Sequence, residues 1–211
     1  NGFSSVPDLL NNNPAVQATD ANKPARLLSA NGLAMADFGG DDRLSWPLIA
    51  ANNGTTHTGF MFWIVPDDVT GDERLLTLWV SGDSTDIRKC IFEKTGAALR
   101  LFVRNGAADP TALTGSVLSA GVPACVGFEF NGNGATDADK VVITVNGVAG
   151  ASTNGVMPAA MNVVTGAANI GAYAQGLLHY SGLLGPNIWV FGAAMPGVTS
   201  GLLTPAGRLA L

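Results

Sequence analysis

Residues 97–104 read Ala-Ala-Leu-Arg-Leu-Phe-Val-Arg, and this stretch decides the fold class. Two sets of side chains alternate along it: Leu99, Leu101 and Val103, and then Arg100, Phe102 and Arg104. Successive side chains of an extended strand point to opposite faces, so a period of two predicts a β-strand with one apolar and one cationic face. Residues 87–94 precede it across Thr95-Gly96, which predicts a β-hairpin.

Further extended segments lie on both sides of this hairpin and are separated by turn residues. They span residues 59–65, 74–80, 124–130, 139–147, 169–173 and 187–191. In residues 59–65 the side chains at both odd and even positions are apolar, which is typical of a strand buried on both faces. Trp63 is therefore predicted to lie in the core. Asn146-Gly147 is a strong hairpin signal. We expect an all-β, two-sheet antiparallel sandwich with one short helix within residues 202–211.

Length and composition limit the class of protein. A chain of 211 residues fits one sandwich domain, 1–211, in which residues 1–30 form a loop-rich N-terminal segment. The hydrophobic fraction of 47% and the charged fraction of 13% exclude intrinsic disorder. A net charge of −5 argues against nucleic-acid binding, and the apolar run 60–65 is too short for membrane insertion. The missing initiator Met predicts a processed or trimmed product.

Three groups of residues, in the right order, carry a resemblance to a known superfamily. They are Gln17-Ala18-Thr19 with Pro24, Asn31-Gly32-Leu33 and residues 38–44; residues 141–148; and residues 168–171 with Tyr180-Ser181-Gly182 and residues 188–191. Together they resemble bacterial and phage laminin-G-like modules of the concanavalin A-like lectin/glucanase superfamily. The resemblance implies a jelly-roll sandwich, a fold that hosts lectins, glycan-binding modules, adhesion domains and hydrolases. Cys125 stands where the superfamily usually has Trp, and Gly39 where its pattern usually has Asp.

The sequence offers little for catalysis. Glycoside hydrolysis needs two carboxyl groups across a cleft, and the glucanase branch of the superfamily carries E-x-D-x-x-E along one strand. The glutamates are Glu73, Glu93 and Glu129, and none begins that pattern. The G-x-S-x-G elbow of serine hydrolases is also missing. We therefore predict that the chain is not an enzyme and does not hydrolyse polysaccharides, which leaves a glycoside hydrolase as the least favoured alternative.

The hairpin over residues 87–104 holds five of the eleven basic residues. A three-residue turn would put one set on the outer face: Arg88, Phe92, Lys94, Arg100, Phe102 and Arg104. A cationic face with two aromatic rings suits an acidic polysaccharide or an acidic protein surface. The alternative is a solvated face whose long stems cover the aromatic rings. Sugar rings stack on exposed aromatic faces, which adds two candidates; the predicted ligand-binding residues are Arg88, Arg100, Phe102, Arg104, Trp46 and Tyr180.

Calcium is the candidate cofactor, because the resemblance is to a superfamily in which loop carboxylates often bind Ca²⁺. Pairs of acidic residues supply hard oxygen ligands at Asp41-Asp42, Asp67-Asp68, Asp83 with Asp86, and Asp137 with Asp139. Asp83 and Asp86 are the predicted metal ligands, and turn-forming Asp is the alternative explanation. The cysteines, Cys90 and Cys125, could form one disulfide or stay as buried thiols.

Two functions stay open at this point. The first is a surface recognition module, carbohydrate-binding or adhesive, on a phage particle or a secreted bacterial protein. Its partner would be a glycan or cell-surface polysaccharide, and its location the virion surface or the extracellular space. The second is a structural decoration or cement protein of a virion, which contacts neighbouring virion proteins or copies of itself in a homo-oligomer. The Ala/Gly/Val-rich residues 107–124 and 149–168 favour the second, because they lack the Asp, Asn and aromatic density of a sugar site.

Overall fold

A computed structural model describes residues 5–6, 15–16, 18–28, 34–46, 54–79, 88–104, 108–162, 168–173, 178–185 and 189–191. Within these residues the chain forms strands, one four-residue α-helix, α1 (Asp137–Lys140), and a short 3-10 helix (Asp20–Asn22). The strands are β1 (Ser5–Val6), β2 (Ala15–Val16), β3 (Ala25–Leu28), β4 (Ala34–Phe38), β5 (Leu44–Trp46), β6 (His57–Pro66), β7 (Asp72–Trp79), β8 (Arg88–Thr95), β9 (Ala98–Val103), β10 (Thr111–Leu113), β11 (Ala124–Asn131), β12 (Val141–Val145), β13 (Val148–Ala149), β14 (Ser152–Asn154), β15 (Ala168–Ile170), β16 (Gly182–Leu184) and β17 (Trp189–Phe191). No helix in this described part is long and apolar enough to cross a membrane.

The strands form two antiparallel sheets. The nine-stranded sheet has the order β1-β2-β5-β15-β7-β8-β9-β10-β14. The eight-stranded sheet has the order β13-β12-β11-β6-β16-β4-β3, and β17 also pairs with β6. The predicted all-β, two-sheet antiparallel sandwich is therefore confirmed. The helix predicted within residues 202–211 lies outside the described residues.

The hydrophobic core lies between the two sheets. Phe62 of β6 meets Phe92 of β8 edge-on, with ring centroids 6.0 Å apart, and Phe128 of β11 lies 5.2 Å from Phe92. All three side chains are buried, as is Ile143 of β12. Burying each of these side chains stabilises the fold by about 1.5–3 kcal/mol relative to leaving it exposed.

The turn between β8 and β9 corrects one prediction. Thr95 pairs directly with Ala98, so the turn has two residues rather than the three we expected, and Gly96 adopts a φ of +58°. Removing one residue from the turn shifts the pairing and exchanges the two faces of β8. Phe92 therefore packs in the core, and Glu93 lies on the outer face opposite Arg100.

Three further features differ from or refine the sequence-based picture. The N-terminal segment 1–30, predicted to be loop-rich, contributes β1, β2 and β3 to the sheets. Trp63, predicted to lie in the core, is 37% exposed. Cys90 lies in the core on β8, whereas Cys125 lies on the outer side of β11, so these two described cysteines are buried without forming a disulfide.

Candidate functional site

Neighbouring strands bring arginines, acids and aromatic rings together on the outer face of the nine-stranded sheet. We call this set the arginine cluster; it comprises Asp72, Arg74, Glu93, Arg100, Phe102 and Tyr173. Arg74 of β7 pairs with Glu93 of β8, and Glu93 pairs with Arg100 of β9. Directly opposite residues of an antiparallel pair share a face, so the register alone places the three charges in one row across the sheet.

Glu93 is the centre of the arginine cluster. Its side chain is fully buried, and its carboxylate contacts Nη1 of Arg74 and both Nε and Nη2 of Arg100. A second acid holds the same cation, because Arg100 Nη2 lies 2.8 Å from Oδ2 of Asp72. A buried carboxylate is tolerated only when it is paired, and here two guanidinium groups supply the pairing.

Aromatic rings hold the same guanidinium groups from the side. The Cζ atom of Arg100 lies 4.7 Å from the ring centroid of Phe102, and that of Arg74 lies 5.6 Å from the Tyr173 ring. A cation over an aromatic face is attracted by the ring quadrupole, by about 0.5–1 kcal/mol at exposed sites. The arginines are thus fixed by acids and rings before any ligand arrives.

Some guanidinium donors point to no acceptor among the described residues. Arg100 uses Nε and Nη2 on Glu93 and Asp72, which leaves Nη1. Arg104, just beyond β9, uses Nη1 on Oδ1 of Asp109 at 2.9 Å, which leaves Nε and Nη2. The two side chains are 25% and 14% exposed. Planar guanidinium donors match carboxylate oxygens, so this face has the donors that an anionic sugar needs.

Of the predicted binding residues, the structure brings three together and buries one. Arg100 and Phe102 lie on β9, and Arg104 follows directly after its end; their role in binding stays a prediction. Tyr180 is fully buried, so the exposed ring predicted for it is wrong, and burial raises the pKa of its hydroxyl. The side chains of Trp46 and Arg88, and the whole of Asp83 and Asp86, lie outside the described residues.

Lys94, predicted to lie on the cationic outer face, instead forms a buried cluster of its own. Its ammonium lies 2.8 Å from the Thr70 carbonyl and 3.3 Å from both Asp68 Oδ1 and Glu73 Oε1. Burial raises the pKa of Glu73. Asp67, the other acid of the Asp67-Asp68 candidate pair, accepts a hydrogen bond from the Ser181 hydroxyl at 2.8 Å. The Lys94 ammonium is therefore the cation that the oxygens of Thr70, Asp68 and Glu73 surround.

No group of three or more His, Cys, Asp or Glu residues among the described residues is arranged to hold a metal ion. A smaller polar pair lies on the outer face of the eight-stranded sheet, where Nε2 of His57 is 2.9 Å from Oε1 of Glu129. Burial raises the pKa of Glu129, and the nearby His57 opposes that rise. Sequence reasoning found no partner for Glu129, because His57 lies on a strand more than sixty residues away along the chain.

Comparison with known proteins supports the fold. No protein-family model matches the chain, and no curated protein matches its sequence. Among solved structures, the Trypanosoma rangeli sialidase in complex with sialic acid matches with a TM-score of 0.65 and 15% identity, over 99% of this chain and 32% of that one. The CBM40 of a Ruminococcus gnavus IT-sialidase, bound to alpha2,3 sialyllactose, matches with a TM-score of 0.57 and 12% identity, over 72% and 84%. A heptameric SAP-like pentraxin from Limulus polyphemus matches with a TM-score of 0.53 and 14% identity, over 77% and 81%.

These likenesses show a jelly-roll sandwich fold, which is the fold that the sequence resemblance implied. The chain spans about a third of the length of the sialidase that it matches. The prediction that the chain is not an enzyme is contradicted, because several of the matched structures are sialidases, which are glycoside hydrolases. At these identities the likeness establishes the fold, and this fold is compatible with catalysis as well as with binding.

Proposed function

We propose that the chain is a carbohydrate-binding surface module that takes acidic glycans on the arginine cluster and the neighbouring Arg104. The observation that carries the proposal is the set of unused guanidinium donors of Arg100 and Arg104, which come two residues before and two residues after Phe102 in the chain. The R. gnavus CBM40, which shares the fold, is bound to alpha2,3 sialyllactose, a sugar with a carboxylate. The ligand class proposed here is therefore a carboxylate-bearing sugar at the end of a glycan chain.

The charges of the arginine cluster predict how such a sugar would be held. Arg74 and Arg100 are balanced by Glu93 and Asp72, so the cluster gains little from long-range attraction. Affinity then comes from short, directed hydrogen bonds, each worth about 1.5–3 kcal/mol when one partner is charged. Two such bonds, after the cost of ordering the ligand, correspond to a Kd of about 1 mM. Multivalent display on a surface would raise the apparent affinity.

The setting proposed for this module is the surface of a phage particle or of a secreted bacterial protein. The support comes from the sequence, where Gln17-Ala18-Thr19, Asn146-Gly147 and their flanking residues resemble bacterial and phage modules. The partner would be a cell-surface polysaccharide.

Isothermal titration calorimetry with alpha2,3 sialyllactose and with lactose tests the proposal. Arg104→Ala is the decisive variant, because it leaves the Arg74, Glu93 and Arg100 contacts in place. We expect it to weaken sialyllactose binding about tenfold, which corresponds to one charged hydrogen bond. Arg26→Ala removes an exposed arginine of β3 on the other sheet and is the matched control. Equal binding of lactose and sialyllactose, or equal effects of the two variants, would exclude the proposal. Repeating the titration with a chelator tests the separate prediction that calcium is bound.

A structural decoration protein of a virion is the second candidate, favoured by one surface. Residues 148–156 carry no charged side chain, and they include exposed Val148 and Val156. This stretch contains β13 and β14, which are edge strands of the two sheets. Exposed edges and apolar side chains are features through which chains assemble. This candidate would be favoured if light scattering showed stable multimers and the protein bound no glycan on an array at millimolar calcium.

A further inference from the structure

Trp63 has no role in the arginine cluster and lies on the opposite side of the sandwich. It is the one exposed residue of β6, and its neighbours on that strand are buried or half-buried. Its Cα pairs with that of Cys125 on β11, which is buried on the same outer face. Among the described residues, the indole N–H finds no acceptor and the ring finds no aromatic contact. A large apolar side chain with an unused donor is thus presented to solvent on a rigid central strand.

The surface beside Trp63 continues across two more strands. Val65, Leu183 and Asp37 lie directly opposite one another on β6, β16 and β4, and the first two are half-buried. Together with Trp63 they form what we call the Trp63 platform. Strand spacing puts the Cα atoms of Trp63 and Asp37 about 12 Å apart, which is the length of one to two sugar rings.

A glycine lies directly beside Trp63 on the neighbouring segment. The backbone N–H of Gly185 donates to the Trp63 carbonyl at 2.6 Å. A Cβ atom at Gly185 would overlap the Cβ of Trp63, so a glycine is required at this position. Gly185, directly after β16, therefore lies close to Trp63 and has no side chain of its own to cover the ring.

Asp37 supplies the polar end of the platform. Its side chain is half-buried, and no described residue donates a hydrogen bond to its carboxylate. Burial raises the pKa of Asp37, and the nearby carboxylate of Asp67 raises it further. A partly desolvated acceptor without donors is stabilised by any ligand that brings hydroxyl groups.

We propose that the Trp63 platform is a second glycan site, in which a neutral sugar ring stacks on Trp63 and donates hydroxyl hydrogen bonds to Asp37. A neutral sugar fits because Asp37 and Asp67 repel anionic ones. The module would then hold an acidic sugar on one outer face and a neutral chain on the other.

Calorimetric titration of the full chain with cellohexaose and with mannohexaose tests this proposal. We expect at least one of these neutral probes to bind, and Trp63→Ala to weaken it about tenfold, the order of an aromatic stacking contact. Trp63→Phe keeps a flat ring and should weaken binding less, and Asp37→Asn should weaken it through the loss of the charged acceptor. Leu113→Ala is the matched control, because Leu113 is 39% exposed on the other sheet against 37% for Trp63. Unchanged urea midpoints show that the variants fold.

The outcomes separate this site from the arginine cluster. Loss of hexaose binding in Trp63→Ala with normal alpha2,3 sialyllactose binding supports two independent sites. If neither hexaose binds the wild-type chain at millimolar concentration, or if Trp63→Ala and Leu113→Ala behave alike, the platform is not a sugar site. Hexaose binding that depends on Trp63 would support the Trp63 platform even if the arginine cluster did not bind sialyllactose.

Discussion

Replacing Glu93 by alanine is expected to destabilise the protein by about 3–5 kcal/mol, the usual cost of removing one partner of a buried ion pair. The carboxylate is fully buried and is shared between Arg74 and Arg100. Without it, two guanidinium groups that are themselves only 11% and 25% exposed would face each other without their shared counter-ion. The mutual repulsion and incomplete hydration of these two guanidinium groups determine how much the free energy of unfolding falls.

Asp72→Asn is the control for this prediction, because Asp72 binds the same Arg100 from a side chain that is 43% exposed. An exposed ion pair contributes about 0.2–1 kcal/mol, so this variant should be much closer to wild type. Urea denaturation followed by tryptophan fluorescence measures the free energy of unfolding of both variants. If that free energy depends on urea concentration with the same slope as in wild type, only stability has changed. If the two variants had the same midpoint, the burial of Glu93 would not matter and the reasoning would be refuted.

Three further variants test the fold and its pH dependence. Gly171→Ala should cost about 2–4 kcal/mol by thermal unfolding, because Gly171 has a φ of +77° and a new methyl group would overlap a buried aromatic ring, whereas Gly39→Ala has open space and should be near neutral. Phe62→Ala should cost about 3–5 kcal/mol in urea, and a wild-type midpoint would show that Phe62 is not in the core. Hydrogen bonds from Thr70 lower the pKa of Asp68, so its stabilising contribution is present above the ordinary value of 3.8 and is lost as the pH falls below that value through the lowered pKa of the folded state. Asp68→Asn should therefore lose less stability than wild type between pH 5 and pH 2, and parallel acid titrations of the two would contradict this.

The elements set by local patterns could be predicted from the sequence. The alternation along β9 gave the correct inward residues, Leu99, Leu101 and Val103. The Asn146-Gly147 turn was also correct, because Val145 pairs directly with Val148 and both turn residues have positive φ. Few sequences other than Asn-Gly accept that conformation, so the signal is specific.

The features that depend on distant strands could not be predicted. The sequence around Gly96 accommodates a two- or a three-residue turn, and this choice decides which side of β8 carries Glu93. The place of Arg74 in the cluster could not be predicted, because the pairing of β7 with β8 shifts register between Arg74 and Leu76. This shift breaks the alternation of inward and outward side chains from which the faces of a strand are inferred. The exposure of Trp63 depends on the bare backbone at Gly185, more than a hundred residues away.

The location of the two cysteines has a practical consequence for experiments. Cys90 and Cys125 are enclosed in the folded chain and lack the access that a maleimide reagent requires. Gly150 lies between the last strands of the two sheets, with nothing near the position of an added side chain. A single cysteine introduced there should accept a fluorophore or a surface tether under native conditions, which leaves both outer faces open for measuring glycan capture on immobilised protein.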